Sequence, residues 1–473
     1  MAKTTFALFA SVMSFVASSG VALAQSGDMK SRITLDLIHT APECAYEGKA
    51  STWCLNENNN DNKAATERAG MVARINSILD QYALQKVDSA KAKGSTPKVY
   101  VAYFSFSNKL VHKKLCEVGK AGIPMEIVLD NGSQGQADTV AVCNKDETNP
   151  NVKVSYLGGM TSSPWRLHHN KFLVVDPGDG TDWSINFSSG NLSAFGTGLH
   201  LDHWVLSTAP GESNLAKSHT CVIDGLRSAI QRAKEVGMYD DGMVKSEYDE
   251  EVAYQYITSR ESCFKKLGVI PTTQTEKALA AEGISPVYSP NENNEAARVL
   301  SSEIRRVTDL ARQGKPAFLY VAIQHFLHYP TMQGLRDAAA AGADVRIVMD
   351  DDVVSGQSEV AGVGDFYEQN LKNSGIKIRF AQTNADVRQM MHNKLAIFNG
   401  QRTFSGAGHY TTAALRNNWE NFYLIDNKDL ARKYLVYFKE LWEKSITESA
   451  AQGGKNSAPQ SLSPEALKII NGQ

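Results

Sequence analysis

Two short stretches of this 473-residue chain carry residue types at a spacing that could do phosphate chemistry. The first is His168-His169-Asn170-Lys171, followed by the apolar Phe172 to Val175, Asp176, and then Ser188-Ser189-Gly190-Asn191. The second is His392-Asn393-Lys394, followed by the apolar Leu395 to Phe398 and Asn399. Each is a His-x-Lys at the start of a buried strand, where residues two apart share one face, so imidazole and ammonium point the same way. That is a nucleophile or proton donor beside a positive clamp for an anion. Cleaving a phosphodiester requires an in-line nucleophile, neutralised equatorial oxygens and a protonated leaving alkoxide, and two such pairs can supply all three without a metal or other cofactor. His168 falls on the opposite strand face and reads as a flanking residue. His325 and His328 could line the same cleft, although histidines in such positions are more often structural.

The elements that position these pairs are duplicated. Tyr100 to Phe106 (YVAYFSF) aligns with Tyr320 to Phe326 (YVAIQHF) at an offset of 220, and MEIVLD ending at Asp130 aligns with VRIVMD ending at Asp350 at the same offset. The alternating runs at Val152–Tyr156 and Ile376–Phe380 follow at an offset of 224, and the His-x-Lys pairs at 223. Each half therefore reads as strand, amphipathic helix, buried strand and third strand, which predicts α/β units with largely parallel pairing and a site at the strands' carboxyl ends. The expected boundaries are 1–24 for a secretory signal, 25–239 for the first repeat, 240–290 for a connecting segment, 291–449 for the second repeat and 450–473 for a loose tail rich in Gly, Ser, Gln and Pro.

Composition bounds the rest. With 42% hydrophobic residues and 21% charged, the chain has material for a large core, which excludes disorder, collagen and coiled coil. The formal charge of −2 gives no bulk electrostatic footprint for nucleic acid. A basic Lys3, the short apolar run Phe6 to Ala17 and Ala22-Leu23-Ala24 predict a cleaved export signal, hence a secreted or periplasmic protein with no later membrane span. The six cysteines fit an oxidising compartment. Nearest pairing in sequence gives Cys44–Cys54, Cys116–Cys143 and Cys221–Cys263, and their spacings match no zinc template.

The two His-x-Lys motifs, their apolar runs and the Ser-Gly-Asn that follows the first resemble the phospholipase D superfamily, whose signature His-x-Lys-x4-Asp with a later Gly-Ser-x-Asn occurs twice per active unit. The resemblance covers most of the mature chain. It implies a duplicated α/β fold, with mixed, mainly parallel sheets packed pseudo-two-fold around one active site, so that a monomer suffices. It also implies a metal-free phosphohistidine route: His169 as nucleophile, His392 as general acid and base (an order that could be exchanged), Lys171 and Lys394 as clamps, and Asp176 as the motif carboxylate. Ser189, Asn191 and His409 become substrate-binding donors, while Asp202 and Glu420, at an offset of 218, become carboxylate partners each reaching across to one imidazole. The second copy departs from the pattern with Asn399 for the motif Asp, Ala407 for the Ser and His409 for the Asn. The expected function is hydrolysis or transfer of a phospholipid headgroup with transient membrane-surface contact; the alternative is a secreted metal-independent endonuclease.

Overall fold

A computed structural model describes residues 28–40, 63–137, 140, 149–159, 166–239, 244–356, 358, 360–383 and 388–473. The expected signal, and with it Cys44, Cys54 and Cys143, lies outside the described residues.

The first half builds a seven-stranded sheet from β1 (Thr34–His39), β2 (Lys98–Tyr103), β3 (Met125–Asp130), β4 (Val152–Leu157), β5 (Lys171–Asp176), β6 (Trp183–Ser188) and β7 (His203–Ala209), in the order β1-β7-β6-β5-β2-β3-β4. The second half builds another from β8 (Ile284–Ser289), β9 (Phe318–Ile323), β11 (Asp344–Asp350), β12 (Lys377–Ala381), β13 (Lys394–Phe398), β14 (Arg402–Gly406) and β16 (Glu420–Asp426). Between these run two short strands that pair with each other, β10 (Phe326–Leu327) and β15 (Tyr410–Thr411). The second order, β12-β11-β9-β13-β14-β16-β8, is the first one read backwards strand for strand, so the duplicated α/β fold is present in full. The stretch 240–290, read as a connection, thus includes the edge strand β8, paired antiparallel with β16.

The sheets are mixed but not mainly parallel. Within the two seven-stranded sheets, β2-β3-β4 and β9-β11-β12 pair in parallel, and the other four neighbouring pairs in each sheet are antiparallel. The cause is local. Parallel pairs need a helical crossover, which the strand-helix-strand start of each half supplies, whereas β5 to β6 and β13 to β14 are hairpins and must run antiparallel.

Central strands such as FLYVAI (β9) and KLAIF (β13) are buried throughout, because both sheet faces are covered. One core lies between the two sheets and draws on both halves, with Phe172, Ile185, Phe187 and Val205 packing alongside Tyr320, Leu395, Ile397 and Tyr423. Phe187 stacks on Tyr423 with ring centroids 3.6 Å apart. Two outer cores sit beneath helices on the far faces, including Lys109–Lys120 in the first half and Glu295–Arg312 with Tyr329–Ala340 in the second. The helix Asn214–Glu235 is tied to Asp249–Leu267 by the Cys221–Cys263 disulfide, and Cys116 is also disulfide-bonded.

The tail is not loose. Arg346 donates to the carbonyls of Gln460 and Ser461 at 2.8 and 2.6 Å, and Trp442 Nε1 to that of Gln460 at 2.7 Å. Leu462 and Ala466 are buried in the inter-sheet core. The polar composition hid a capped helix: Ser463 accepts from Ala466 N, and Pro464 occupies the first helical position, where a missing N–H costs nothing.

Candidate active site

The two His-x-Lys pairs meet where the halves touch, and the backbone there is reciprocal. His169 lies just ahead of β5, and its N–H donates to Trp419 O at 2.8 Å, while Trp419 N donates to Leu167 O at 3.0 Å. On the other side His392 N donates to Leu201 O at 3.0 Å, and Leu201 N to Met390 O at 2.8 Å. Trp419 precedes Glu420 and Leu201 precedes Asp202, so each imidazole segment of one half is laced to the carboxylate segment of the other. A second anchor comes from the strand-ending aspartates. Asp130 accepts from His168 N at 2.9 Å and Asp350 from Met391 N at 2.5 Å, each gripping the residue immediately before a site histidine. Sequence reading noted these aspartates as the ends of matched strands but gave them no role; their recurrence at one offset was the available signal.

The side chains complete the crossing. His169 Nδ1 lies 2.9 Å from Glu420 Oε2, and His392 Nδ1 lies 3.1 and 3.3 Å from the two oxygens of Asp202. Both imidazoles are 7% exposed, so each keeps one edge open to a ligand. A carboxylate can only accept, so each Nδ1 carries the hydrogen. His169 Nε2 receives Lys171 Nζ at 2.9 Å and therefore presents a lone pair. Lys394 is placed differently: its Nζ donates to the carbonyls of His392 at 2.6 Å and Ser189 at 3.3 Å, leaving His392 Nε2 free.

Burial dominates the electrostatics. It holds both imidazoles well below the usual histidine range, reinforced by the Lys171 and Lys394 charges. It lowers the Lys171 ammonium to about 7 against the pull of Glu420, Asp202 and Asp130, and Lys394 falls well below its ordinary value. Glu420 is pushed up to about 8 by burial, with Lys171 opposing, and Asp202 rises for the same reason against Lys394. With every partner buried together, each imidazole and its carboxylate share one proton along the Nδ1···O contact.

Other expected residues land as follows. Ser189 is in the site, but its hydroxyl donates to Asp202 Oδ1 at 2.8 Å and accepts from His203 N at 2.9 Å. It therefore braces the carboxylate and is not turned toward a substrate, because a buried hydroxyl takes the nearest charged acceptor. Ala407 leaves the matching place beside Glu420 without a donor, and Asn418 Nδ2 supplies one at 3.3 Å. Sequence reading missed Asn418, which no pattern marks. The intervening glycines are required first by aromatic rings: a Cβ on Gly190 would lie 2.5 Å from the Trp204 ring and 2.8 Å from Asp202 Oδ2, and one on Gly408 would run into the Phe422 ring, with Glu420 Cδ at 3.2 Å.

Asn191 and His409 follow the two glycines at equivalent positions; the His409 ring lies against both site imidazoles, and Asn191 Oδ1 and His409 Nδ1 are buried without a hydrogen-bond partner. Asp176 does not belong to the site. It ends β5, at the opposite end of that six-residue strand from Lys171, and accepts from Gly178 N at 2.9 Å in the turn toward β6. Its counterpart Asn399 explains the exchange, since Asn399 and Gly400 have φ of 55° and 65° and form a tight hairpin turn in which Asn is the favoured non-glycine residue. His168 is fully buried and flanking, and His328 is held by Thr331 Oγ1 at 2.8 Å.

Residues 314–442 match the family model described as cardiolipin synthase, PLD-like domain. The chain is 29% identical over 115 residues to the mitochondrial cardiolipin hydrolase of Danio rerio, a match covering 24% of this chain and 46% of that protein. The human mitochondrial cardiolipin hydrolase is 29% identical over 103 residues, covering 22% and 36%. The chain thus spans less than half the length of these curated relatives. Among solved structures, the phospholipase D family member Nuc from Salmonella typhimurium shares 23% identity, with 34% of this chain and 95% of that one covered and a TM-score of 0.28. The matched domain spans the second His-x-Lys pair and the first half repeats its strand order, so the match over residues 314–442 and the similar cardiolipin hydrolases support the phospholipase D superfamily for this chain.

Proposed function

We propose that this protein is a phosphodiesterase that hydrolyses the headgroup phosphodiester of phospholipids, or transfers it to an alcohol, through a phosphohistidine intermediate, and that it works outside the cytoplasm. The observation that carries this reading is the crossed pair of imidazole–carboxylate contacts, His169–Glu420 and His392–Asp202. His169 Nε2, its lone pair presented, attacks phosphorus as Lys171 transfers its hydrogen bond from that nitrogen to a phosphate oxygen. The P–O bond to the leaving alkoxide breaks, and His392, which takes up a proton at Nε2 as the anionic phosphodiester enters, protonates that oxygen. Water, or an acceptor alcohol, then gives its proton back to His392 and attacks phosphorus, which breaks the P–N bond and restores both imidazoles. Glu420 and Asp202 stabilise the imidazolium that forms in front of each, and the two lysines with Asn191 and His409 hold the equatorial oxygens. Positive charge comes from ammonium groups, so turnover is expected to persist in chelator.

Lipid is favoured as substrate by the name of the similar cardiolipin hydrolases and by a balanced net charge, which gives no bulk attraction for nucleic acid. Work outside the cytoplasm is supported by the signal-like amino terminus and the Cys221–Cys263 disulfide. The deciding experiment presents purified protein, with chelator, to cardiolipin and phosphatidylcholine vesicles and to plasmid and single-stranded DNA in parallel. Headgroup or phosphatidate release without nicking is the expected result, with His169→Ala and His392→Ala each inactive. Nicking without lipid hydrolysis would replace this reading by the endonuclease.

A further inference from the structure

The halves differ most on one side of the site, and there the differing residues touch. His409 stands where the first half has Asn191, His325 where it has Ser105, and Asp352 where it has Gly132. The His409 ring sits between the two site imidazoles, with centroids 5.8 Å from His169 and 5.4 Å from His392. It also stacks on His325 at 5.1 Å and 28°, and the parallel pairing of β10 with β15 fixes both segments just beyond these rings. His325 Nε2 faces Asp352 Oδ2 at 3.6 Å, within ion-pair range but too long for a hydrogen bond. His409 Nδ1, His325 Nε2 and Asp352 Oδ1 are all buried without a hydrogen-bond partner. Three such atoms in one cluster are costly unless a ligand or a proton satisfies them.

We infer that His409 binds phosphate by a different means from Asn191: it takes up a proton as the phosphate enters and holds it as an imidazolium, with His325 positioning the ring and Asp352 supplying counter-charge. This rests on the phosphodiester site proposed above, but not on lipid being the substrate. Around the His409 ring stand Lys394, His325, His392 and His169, with Lys171 behind His169, the carboxylates Glu420 and Asp202 already engaged by their imidazoles, and Asp352 behind His325. In that company the empty site keeps the ring neutral, burial being the first cause and Lys394 the next. A phosphate brings negative charge into the same low-dielectric space and reverses the balance. An amide at the equivalent place has no such second state. The ligand class is therefore a tetrahedral oxyanion gripped by a fixed amide from one half and a titratable ring from the other.

The test is calorimetry of inorganic phosphate binding in buffers of different ionisation heat, which counts protons taken up per phosphate. Wild type is expected to take up more than His409→Asn, by up to roughly one proton near neutral pH, while His409→Asn still binds because an amide can donate from that position. Asp352→Asn should move the midpoint of uptake to lower pH, since losing a carboxylate disfavours the imidazolium. Equal uptake by wild type and His409→Asn overturns the inference. So does a folded His409→Asn protein that binds no phosphate, or a wild type that binds none. An unmoved midpoint in Asp352→Asn removes His325 and Asp352 from it. No turnover is involved, so this outcome is independent of whether vesicles are hydrolysed.

Discussion

Replacing Lys171 by methionine should make the protein more stable and inactive. Lys171 is fully buried, and its ammonium is lowered from 10.5 to about 7 chiefly by that burial. The folded pKa lies below the unfolded one, so the unfolded chain binds the extra proton between them. The penalty is therefore full below about pH 7 and shrinks as pH climbs toward 10.5. A difference of roughly three and a half pKa units corresponds to about 4–5 kcal/mol at neutral pH. Part of this returns when methionine leaves Glu420 and Asp202 without a cation, although Glu420, already near 8, accommodates that by protonating. The expected net gain is about 2 kcal/mol, or a few degrees in thermal melting, with hydrolysis lost because no charge meets the phosphate. Melting of both proteins across about pH 6 to 10 is the assay, and wild type should gain on the variant as pH rises. A variant that melts below wild type at neutral pH would refute the reasoning, because the carboxylates would then more than compensate for desolvating the ammonium.

Three further outcomes follow from named contacts. Glu420→Gln removes the acceptor 2.9 Å from His169 Nδ1 and should lower kcat by about 10- to 200-fold, the loss of a charge-assisted hydrogen bond, with little change in melting; a kcat within twofold of wild type would deny Glu420 a part. Opening the 42-residue loop with Cys221→Ser and Cys263→Ser together should cost about 3–4 kcal/mol, read as a shift in urea midpoint. Ending the chain at residue 459 strips the partners of Arg346 and Trp442 and uncovers apolar surface, so melting should drop by several degrees, as about 2–4 kcal/mol of contacts are lost.

Much of the site was legible because its chemistry is written twice at a nearly constant offset. The His-x-Lys pairs and the carboxylates Asp202 and Glu420 could be aligned by sequence, and the structure brings all six residues together. What stayed hidden was contact-dependent. The hydroxyl of Ser189 reads as a donor in any alignment, and only packing shows it spent on Asp202. Asp176 reads as part of a motif, yet strand length carries it away from the site, and Asn399 shows the position answering to turn geometry. The antiparallel majority escaped notice because the repeat displays only its strand-helix-strand start, whereas the later strands, β5 to β6 and β13 to β14, are joined as hairpins by turns that carry no shared motif.

The reciprocal lacing of the halves has a consequence for when chemistry can begin. A chain with one half folded and the other still open would hold His169 without Glu420, or Asp202 without His392. Either is a carboxylate or an imidazole facing water, with no oriented proton and no second clamp. Reactivity is thus a logical AND over two folding events, and each half acts as the key that arms the other. During synthesis the first half emerges complete in sequence yet without a finished site, and the crossed imidazole–carboxylate pairs exist only once Trp419 and Glu420 have docked onto it.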